Sequence, residues 1–517
     1  MQKSPHGTSQ ARHGTPRTSH GKQPHRSSRA ELREGQLLAA AQVDVAGCYD
    51  VAVIGGGAAG LVAATAAAEG GARIVVLDRG LECGRTILAT GNGRCNFSNV
   101  GLEASRYNDP DFVAAVFGAD PLADILGFFG DCGLRWDLEG DRLYPLSRQA
   151  SSVRSVLIAR ARAAGVTLAA AREVERVERS VGPAGPSARC GFTVAYRELF
   201  SAESDMSGGG AASLHATCVI VATGGGTCRA LDALGLASTP TRPVLCPVAC
   251  EDSPLAALDG RRAHVRVQLS KGGPPVWQER GEVLLRSYGL SGIVSFDLSR
   301  HAGAGDLVEI DLVPDLAEAE LRAMIDPTAC GDFVEGRLDG TLDPVIAHTL
   351  EVLARERWTL PGSSRHAGDS RGDDGPHRDG SLRRDAGLAG PRPNAPQSDA
   401  DALLALVKAL PFRVVGNCEE RGAQVTRGGL QNDQFSAESM ESAQVPGLFA
   451  CGEALDVDAG CGGFNLSWAW KSGLVAGAAA GMAASTATAM SGTAADDADV
   501  AAAPAPNPDA TPSHPQG

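Results

Sequence analysis

The stretch YDVAVIGGGAAG, residues 49–60, carries an apolar run into three glycines and an Ala-Ala-Gly. Gly55, Gly57 and Gly60 fit G-x-G-x-x-G, with a strand pattern before them and an Ala-rich helix pattern, AAGLVAATAAAEGG, after them. The three glycines play different parts. Gly55 makes a tight turn, Gly57 allows close approach of a pyrophosphate, and Gly60 allows close helix–strand packing. Ala58 and Ala59 open the helix, whose free N–H groups face the phosphates. A second apolar strand, ARIVVLDRG, ends in Asp78, eighteen residues after Gly60, with Arg79 beside it. A carboxylate there accepts from ribose hydroxyls and repels a 2′-phosphate. Together these features predict a βαβ unit that holds a dinucleotide.

FAD and NAD use nearly the same loop, and the far end of the chain separates them. The stretch GLFACGEALDVDAGCGGFNLSWAWKSGLVAGAAAG, residues 447–481, reads as strand, acidic turn, Gly-Gly and long helix. A flavin needs an acid at its ribityl chain, which predicts Glu453. It also gains from a helix N-terminus facing its pyrimidine, because the dipole stabilises the negative charge of the reduced ring. Gly463 and the backbone of Phe464, Asn465 and Leu466 fit that second role. The expectation is non-covalent FAD.

The rest of the chain sets the frame. A length of 517 residues with 43% apolar content allows several domains with real cores, and the expected class is α/β. A net charge of −14 argues against a nucleic-acid partner. No strongly apolar stretch of about 18 residues occurs, so no membrane span is expected. The basic N-terminus has no apolar core of the kind a secretory signal needs, and thirteen scattered cysteines suit a reducing, cytoplasmic setting. Composition predicts disorder over about 1–30, 361–398 and 485–517. The expected organisation is an arm with a short helix (1–47), an FAD domain in two parts (48–241 and 431–484), a β-rich insert (242–315, returning at 412–430), a helical insert (316–411) and a tail (485–517).

Three long stretches, ILATGNGRCNFSN (87–99), GEVLLRSYGLSGIVSFDLS (281–299) and GEALDVDAGCGGFNLSWAWKSG (452–473), resemble one flavoprotein family. This is the BaiN/RdsA family of NAD(P)/FAD-dependent oxidoreductases, also labelled the aminoacetone oxidase family. The likeness runs in order over about 48–360 and 400–483. It implies a two-dinucleotide-binding-domain flavoprotein fold, a Rossmann-like FAD domain with a β-barrel-like insert and a helical insert. It also implies reduction of a C=C bond conjugated to a ketone in a small organic, steroid-like substrate. NAD(P)H is then expected as a transient donor, since only one complete glycine loop is present. The ATGGG at 222–226 lacks the third glycine of the motif, since Arg229 stands where Gly60 stands in the first loop, and the resemblance makes it the strand by which the chain leaves the FAD domain, with Thr223 and Gly224 near the cofactor. Val174 is expected to place its backbone at the adenine.

Side chains for chemistry come from two loops. Arg85, Asn92, Gly93, Arg94 and Asn96 lie in a Gly-rich segment that passes the ligand edge of the sheet. Arg94 is the expected stabiliser of a substrate oxyanion, and Tyr288 the expected proton donor. Cys95 has no close cysteine partner, and Cys246 and Cys250 fall at the start of an insert, so a redox disulfide is not expected. No His/Cys/carboxylate cluster has metal-ligand spacing. Two alternatives stay open: an amine oxidase that passes electrons to O2, and a flavin-binding protein that engages a macromolecule.

Overall fold

The computed structural model describes residues 29–180, 191–200, 210–225, 229–251, 254–360, 398–418 and 422–501. The disorder expected at 1–28, at 361–397 and beyond Ala501 lies outside those residues. The boundary expected at 484 moves, because one helix runs unbroken over Phe464–Ala501. Alanines recur through residues 485–501 and no proline interrupts them, so nothing there breaks the helix.

A seven-stranded sheet forms the first half. Its order is Thr167–Ala169, Ile74–Leu77, Cys48–Ile54, Ala211–Val221, Gly191–Glu198 and Arg172–Ser180, and Leu448–Ala450 also pairs with Ala211–Val221. The strands on either side of the glycine loop are parallel, Val51 opposite Ile74 and Ile54 opposite both Leu77 and Val221. Strand ends that abut there put the ligand edge at Gly55, Asp78 and Thr223.

The helix of the glycine loop, Ala58–Ala68, is sealed by the last one, Phe464–Ala501. Gly473, Gly477 and Gly481 recur every four residues and so share one face. A Cβ on them would stand 2.7, 2.3 and 2.7 Å from the carbonyl oxygens of Ala59, Ala63 and Ala67. Only glycine allows that approach, which ties the C-terminal helix directly to the βαβ unit.

The second half is a closed six-stranded barrel in the order Val248–Cys250, Gly289–Ser291, Pro275–Arg286, Arg262–Ser270, Leu307–Asp311 and Leu410–Asn417. Helices Glu318–Ile325, Pro344–Arg355 and Asp399–Lys408 enter between its last two strands. Leu321, Ile346, Leu350 and Leu403 share one apolar core with Val265, Val267, Val308 and Ile310. The β-rich and helical inserts are therefore one body, not two. The two chain crossings run side by side as an antiparallel pair, Ser238–Val244 with Val425–Leu430. Among the described residues no single helix is long and apolar enough to cross a membrane.

Candidate flavin and substrate site

At the glycine loop the backbone is fixed by missing side chains. Gly55 has φ +101°, and a Cβ there would stand 2.3 Å from the Ala222 carbonyl oxygen; at Gly60 it would stand 1.9 Å from that of Gly55. Gly57 differs: its Cβ would meet only the Thr86 hydroxyl, at 3.6 Å. Gly57 also starts helix Ala58–Ala68 with no side-chain cap. Protein thus crowds the loop where glycine serves packing and leaves it open where a phosphate must approach. The open face and uncapped helix start fit a pyrophosphate.

Asp78 holds this loop. Its carboxylate accepts from Gly56 N–H at 2.6 Å and Gly80 N–H at 2.5 Å. Arg79, Arg85 and Asn92 are exposed, and Asn92 and Gly93 sit at φ +54° and +83° in a left-handed turn. Val174 lies near the start of the strand that runs beside Asp78, where Arg172 N–H donates to the Asp78 carbonyl at 2.8 Å. Glu453 accepts from Gly225 N–H at 3.3 Å and Thr426 N–H at 3.2 Å, clasping the loop after Thr223 and Gly224 to the crossing strands. Burial pushes its carboxyl up to about 7.

The three long sequence stretches converge at the start of the last helix. Asn99 Nδ2 donates to the Gly462 carbonyl at 3.0 Å, Ser98 and Ser467 hydroxyls meet at 2.9 Å, and Tyr107 O–H donates to the Phe464 carbonyl at 2.7 Å. A Cβ on Gly463, φ +94°, would stand 2.8 Å from the Ser98 carbonyl. Asn465 spends its side chain on the Ala459 N–H and carbonyl, leaving its backbone and that of Leu466 for a ligand. Buried Asn96 Oδ1 has no hydrogen-bond partner, and it would lie 2.9 Å from the same Gly463 Cβ. An orphaned acceptor beside a helix start fits the donor-bearing edge of a flavin ring.

From the barrel side, Asp297 of helix Ile293–Ser299 accepts from Cys461 N–H at 2.6 Å. Arg300 Nε pairs at 2.7 Å with Asp458, whose side chain is 0% exposed, and Arg427 Nε lies 3.3 Å from the same carboxylate. Burial, with Arg300 and Arg427 nearby, lowers the His301 pKa to about 4, so its ring stays neutral while stacked on Trp277.

The two expected catalytic side chains are not brought together. Arg94 pairs with Glu139 at 2.5 Å and lies over the Tyr144 ring, so its charge is already matched at the surface. Tyr288 occupies the turn after strand Pro275–Arg286, whose end lies seven residues or roughly 24 Å of strand from Glu279, which shares the field of Asp297 and Arg300. Asp297 and Asp458 were legible only as lone acids within the second and third stretches. Nothing in the sequence singled out Glu279 or Trp277. No disulfide joins any of the described cysteines, and burial holds Cys95 at about 11, out of the thiolate range. No metal-ligand group occurs among the described residues.

A glycine loop closed by an acid, completed by a returning helix, and faced by a barrel defines an FAD-dependent oxidoreductase of Rossmann type. The chain belongs to the family of the HI0933-like protein Rossmann domain, which matches residues 49–479. It is 29% identical over 458 residues to the 3-dehydro-bile acid delta(4,6)-reductase of Clostridium scindens, covering 83% of this chain and 98% of that protein. It is 25% identical to the ribosomal RNA dihydrouridine synthase of Escherichia coli, over 82% of this chain and 96% of that protein. Among solved structures, the 3-ketosteroid delta1-dehydrogenase of Sterolibacterium denitrificans aligns over 85% of this chain and all of its own, at 13% identity and a TM-score of 0.40.

Proposed function

We propose that this enzyme reduces a C=C bond conjugated to a carbonyl in a small, steroid-like substrate. The carrying observation is the convergence of three stretches at Gly462–Phe464, which leaves a helix start, an orphaned Asn96 oxygen and nearby cations around one place. Both relatives' names support the reading. A delta(4,6)-reductase of an oxidised bile acid and a dihydrouridine synthase each saturate a double bond next to a carbonyl.

Gly57, Ala58, Asp78 and Glu453 would hold the nucleotide and ribityl parts of FAD, and Asn96, Gly463 and Asn465 its ring. When bound, that cofactor supplies hydride. The chain's own residues orient the carbonyl and stabilise the enolate that hydride addition leaves, which calls for preorganised cations. Arg142 is opposite Asn99 in the strand pair, and its charge acts on Asp297 and Cys461; Arg106 lies over the Phe464 ring. These two are better placed than Arg94 for that role. A nicotinamide donor binds weakly and leaves before substrate enters, giving ping-pong kinetics.

The test is anaerobic stopped-flow mixing of pre-reduced enzyme with 3-oxo-Δ4 steroids and simpler enones. Reoxidation faster than in buffer is expected. Rapid flavin reduction by amines with no response to any enone would replace this reading with an oxidase. A uracil base within RNA is the second reading, favoured by the dihydrouridine synthase likeness, and reoxidation by uridine-containing RNA alone would select it.

A further inference from the structure

Between barrel and flavin loop, strand Pro275–Arg286 lies across helix Ile293–Ser299. Two contacts set the register. A Cβ on Gly281 would stand 3.2 Å from Val294, and the Trp277 ring stacks on His301 with centroids 5.5 Å apart. Residues 277, 279 and 281 share one strand face, Val294 and Asp297 share one helical face, and His301 follows in the turn just past the helix end, its N–H donating to the Leu298 carbonyl at 2.9 Å. Glu279, midway along the first row, therefore faces Asp297, midway along the second. Asp297 in turn reaches the flavin loop through Cys461 N–H at 2.6 Å. The Asp297 charge accordingly acts on the Glu279 carboxyl.

We infer that Glu279 and Asp297 share one proton and that Glu279 delivers it to the substrate carbon beside the carbonyl. This assignment rests on the reduction proposed above. Once the β-carbon has taken its hydride from reduced flavin, itself recharged by a nicotinamide-class donor, the former π pair lies on an enolate. The α-carbon takes the proton from the Glu279 carboxyl as the O–H bond breaks and a C–H bond forms. Glu279 is left as a carboxylate, opposed by Arg300 and Arg106, and a solvent proton restores it. Asp297 is a positioning residue: its negative charge keeps the proton on its neighbour, since two close carboxylates do not both ionise readily.

The surroundings agree. Burial first, and Asp297 second, raise the Glu279 carboxyl to about 7 against the opposing pull of Arg300 and Arg106. Asp297 is also raised by burial, against the Cys461 N–H, Arg300 and Arg142. A group poised near neutrality is suited to giving up a proton at neutral pH.

The test uses the FAD-loaded full chain and Glu279→Gln. At pH 6 the infrared difference spectrum of resting wild type minus Glu279→Gln should show a neutral-carboxyl band, the Glu453 carboxyl being common to both and cancelling; no such band in the difference overturns the assignment. Reoxidation of pre-reduced wild type by a 3-oxo-Δ4 steroid should slow as pH rises through about 7, when the acid form is lost. In Glu279→Gln the rate should fall about a hundredfold, with flavin content unchanged, and that limb should vanish. Asp297→Asn should move the limb to lower pH; should that variant not fold, Glu279→Gln decides alone. Normal reoxidation with an unchanged pH profile in Glu279→Gln overturns the donor role only. A wild type that no enone reoxidises overturns the reduction reading, and the donor role with it.

Discussion

The two halves of this molecule build their parts of the site by opposite means. In the flavin half the decisive atoms belong to the backbone, and the sequence specifies them by omission: Gly55, Gly57, Gly60 and Gly463 each lack a Cβ that would fill a needed space or force a contact. In the barrel half the decisive atoms are side chains, Asp297, Arg300 and Glu279, set by strand register against one short helix. The first device works locally and leaves a fixed spacing in the chain. The second depends on which residues meet after folding, and leaves no spacing to read.

Where the halves join, a buried charge does the fastening, and breaking it should have the largest effect. Asp458 lies wholly inside and pairs with both Arg300 and Arg427. Asp458→Asn leaves two cations without their carboxylate, at a cost of about 3 kcal/mol or more. Urea unfolding measures it. A loss well under about 1 kcal/mol would mean that the halves are held by apolar contact alone, and that the junction is not electrostatic.

Gly60→Ala probes the backbone half. The added methyl would overlap the Gly55 carbonyl, so helix and strand must part, costing about 2–3 kcal/mol together with most of the bound flavin. Gly57→Ala is the informative partner. Its methyl meets only a hydroxyl at 3.6 Å, so the apo protein should keep its stability while flavin affinity falls. Equal destabilisation by both variants would erase the distinction between packing and ligand glycines.

Glu453 sharpens the contrast, because it is a side chain doing backbone work in the flavin half. Its carboxyl is raised from the ordinary value of 4.5 to about 7 by burial. A raised carboxyl favours the folded state while protonated, and that contribution drains away as pH climbs through 4.5 to about 7. Glu453→Gln should flatten this slope and leave apo protein roughly 1–2 kcal/mol more stable than wild type at pH 8. Thermal melts across pH 5–8 check it; parallel curves for the two proteins would place the slope elsewhere.

This division also accounts for what could be read from the chain. The loop, Asp78, the acidic turn and the returning helix were legible because each imposes a fixed residue type at a fixed offset. The longer barrel strands, in AHVRVQL, GEVLLRS and DLVEIDL, and the three inserted helices were legible from their periodicity, whereas the three-residue strands Val248–Cys250 and Gly289–Ser291 are too short to show one. Their fusion into one core was not, since Leu321 and Val267 meet only through tertiary packing. The same holds for Glu279, which sits in QERGEV, a stretch that reads as any exposed strand. Tyr288 shows the converse: a phenol next to a glycine motif looks chemical in the sequence, and the fold puts it in the turn between two paired barrel strands, Arg286 opposite Gly289.

Arg94 gives the smallest expected effect and the cleanest comparison with a cation on the other side of its own partner. It lies in TGNGRCN, a loop of left-handed residues at Gly91, Asn92, Gly93 and Cys95, and that conformation turns its guanidinium outward to Glu139 and the Tyr144 ring. A surface pair of this kind adds little to stability, so Arg94→Ala should melt like wild type and keep its flavin. Arg142 stands opposite both Glu139 and Asn99 in the small sheet, one strand nearer the Gly462 carbonyl that Asn99 holds. If the enolate is stabilised from that side, Arg142→Ala should slow reoxidation by an enone about a hundredfold, while Arg94→Ala slows it less than about tenfold. Both are measured in the same anaerobic assay, at equal flavin occupancy. The reverse order would return the oxyanion role to Arg94 and would require Glu139 to release it when substrate binds, which the double variant Arg94→Ala/Glu139→Ala would then expose as a non-additive loss.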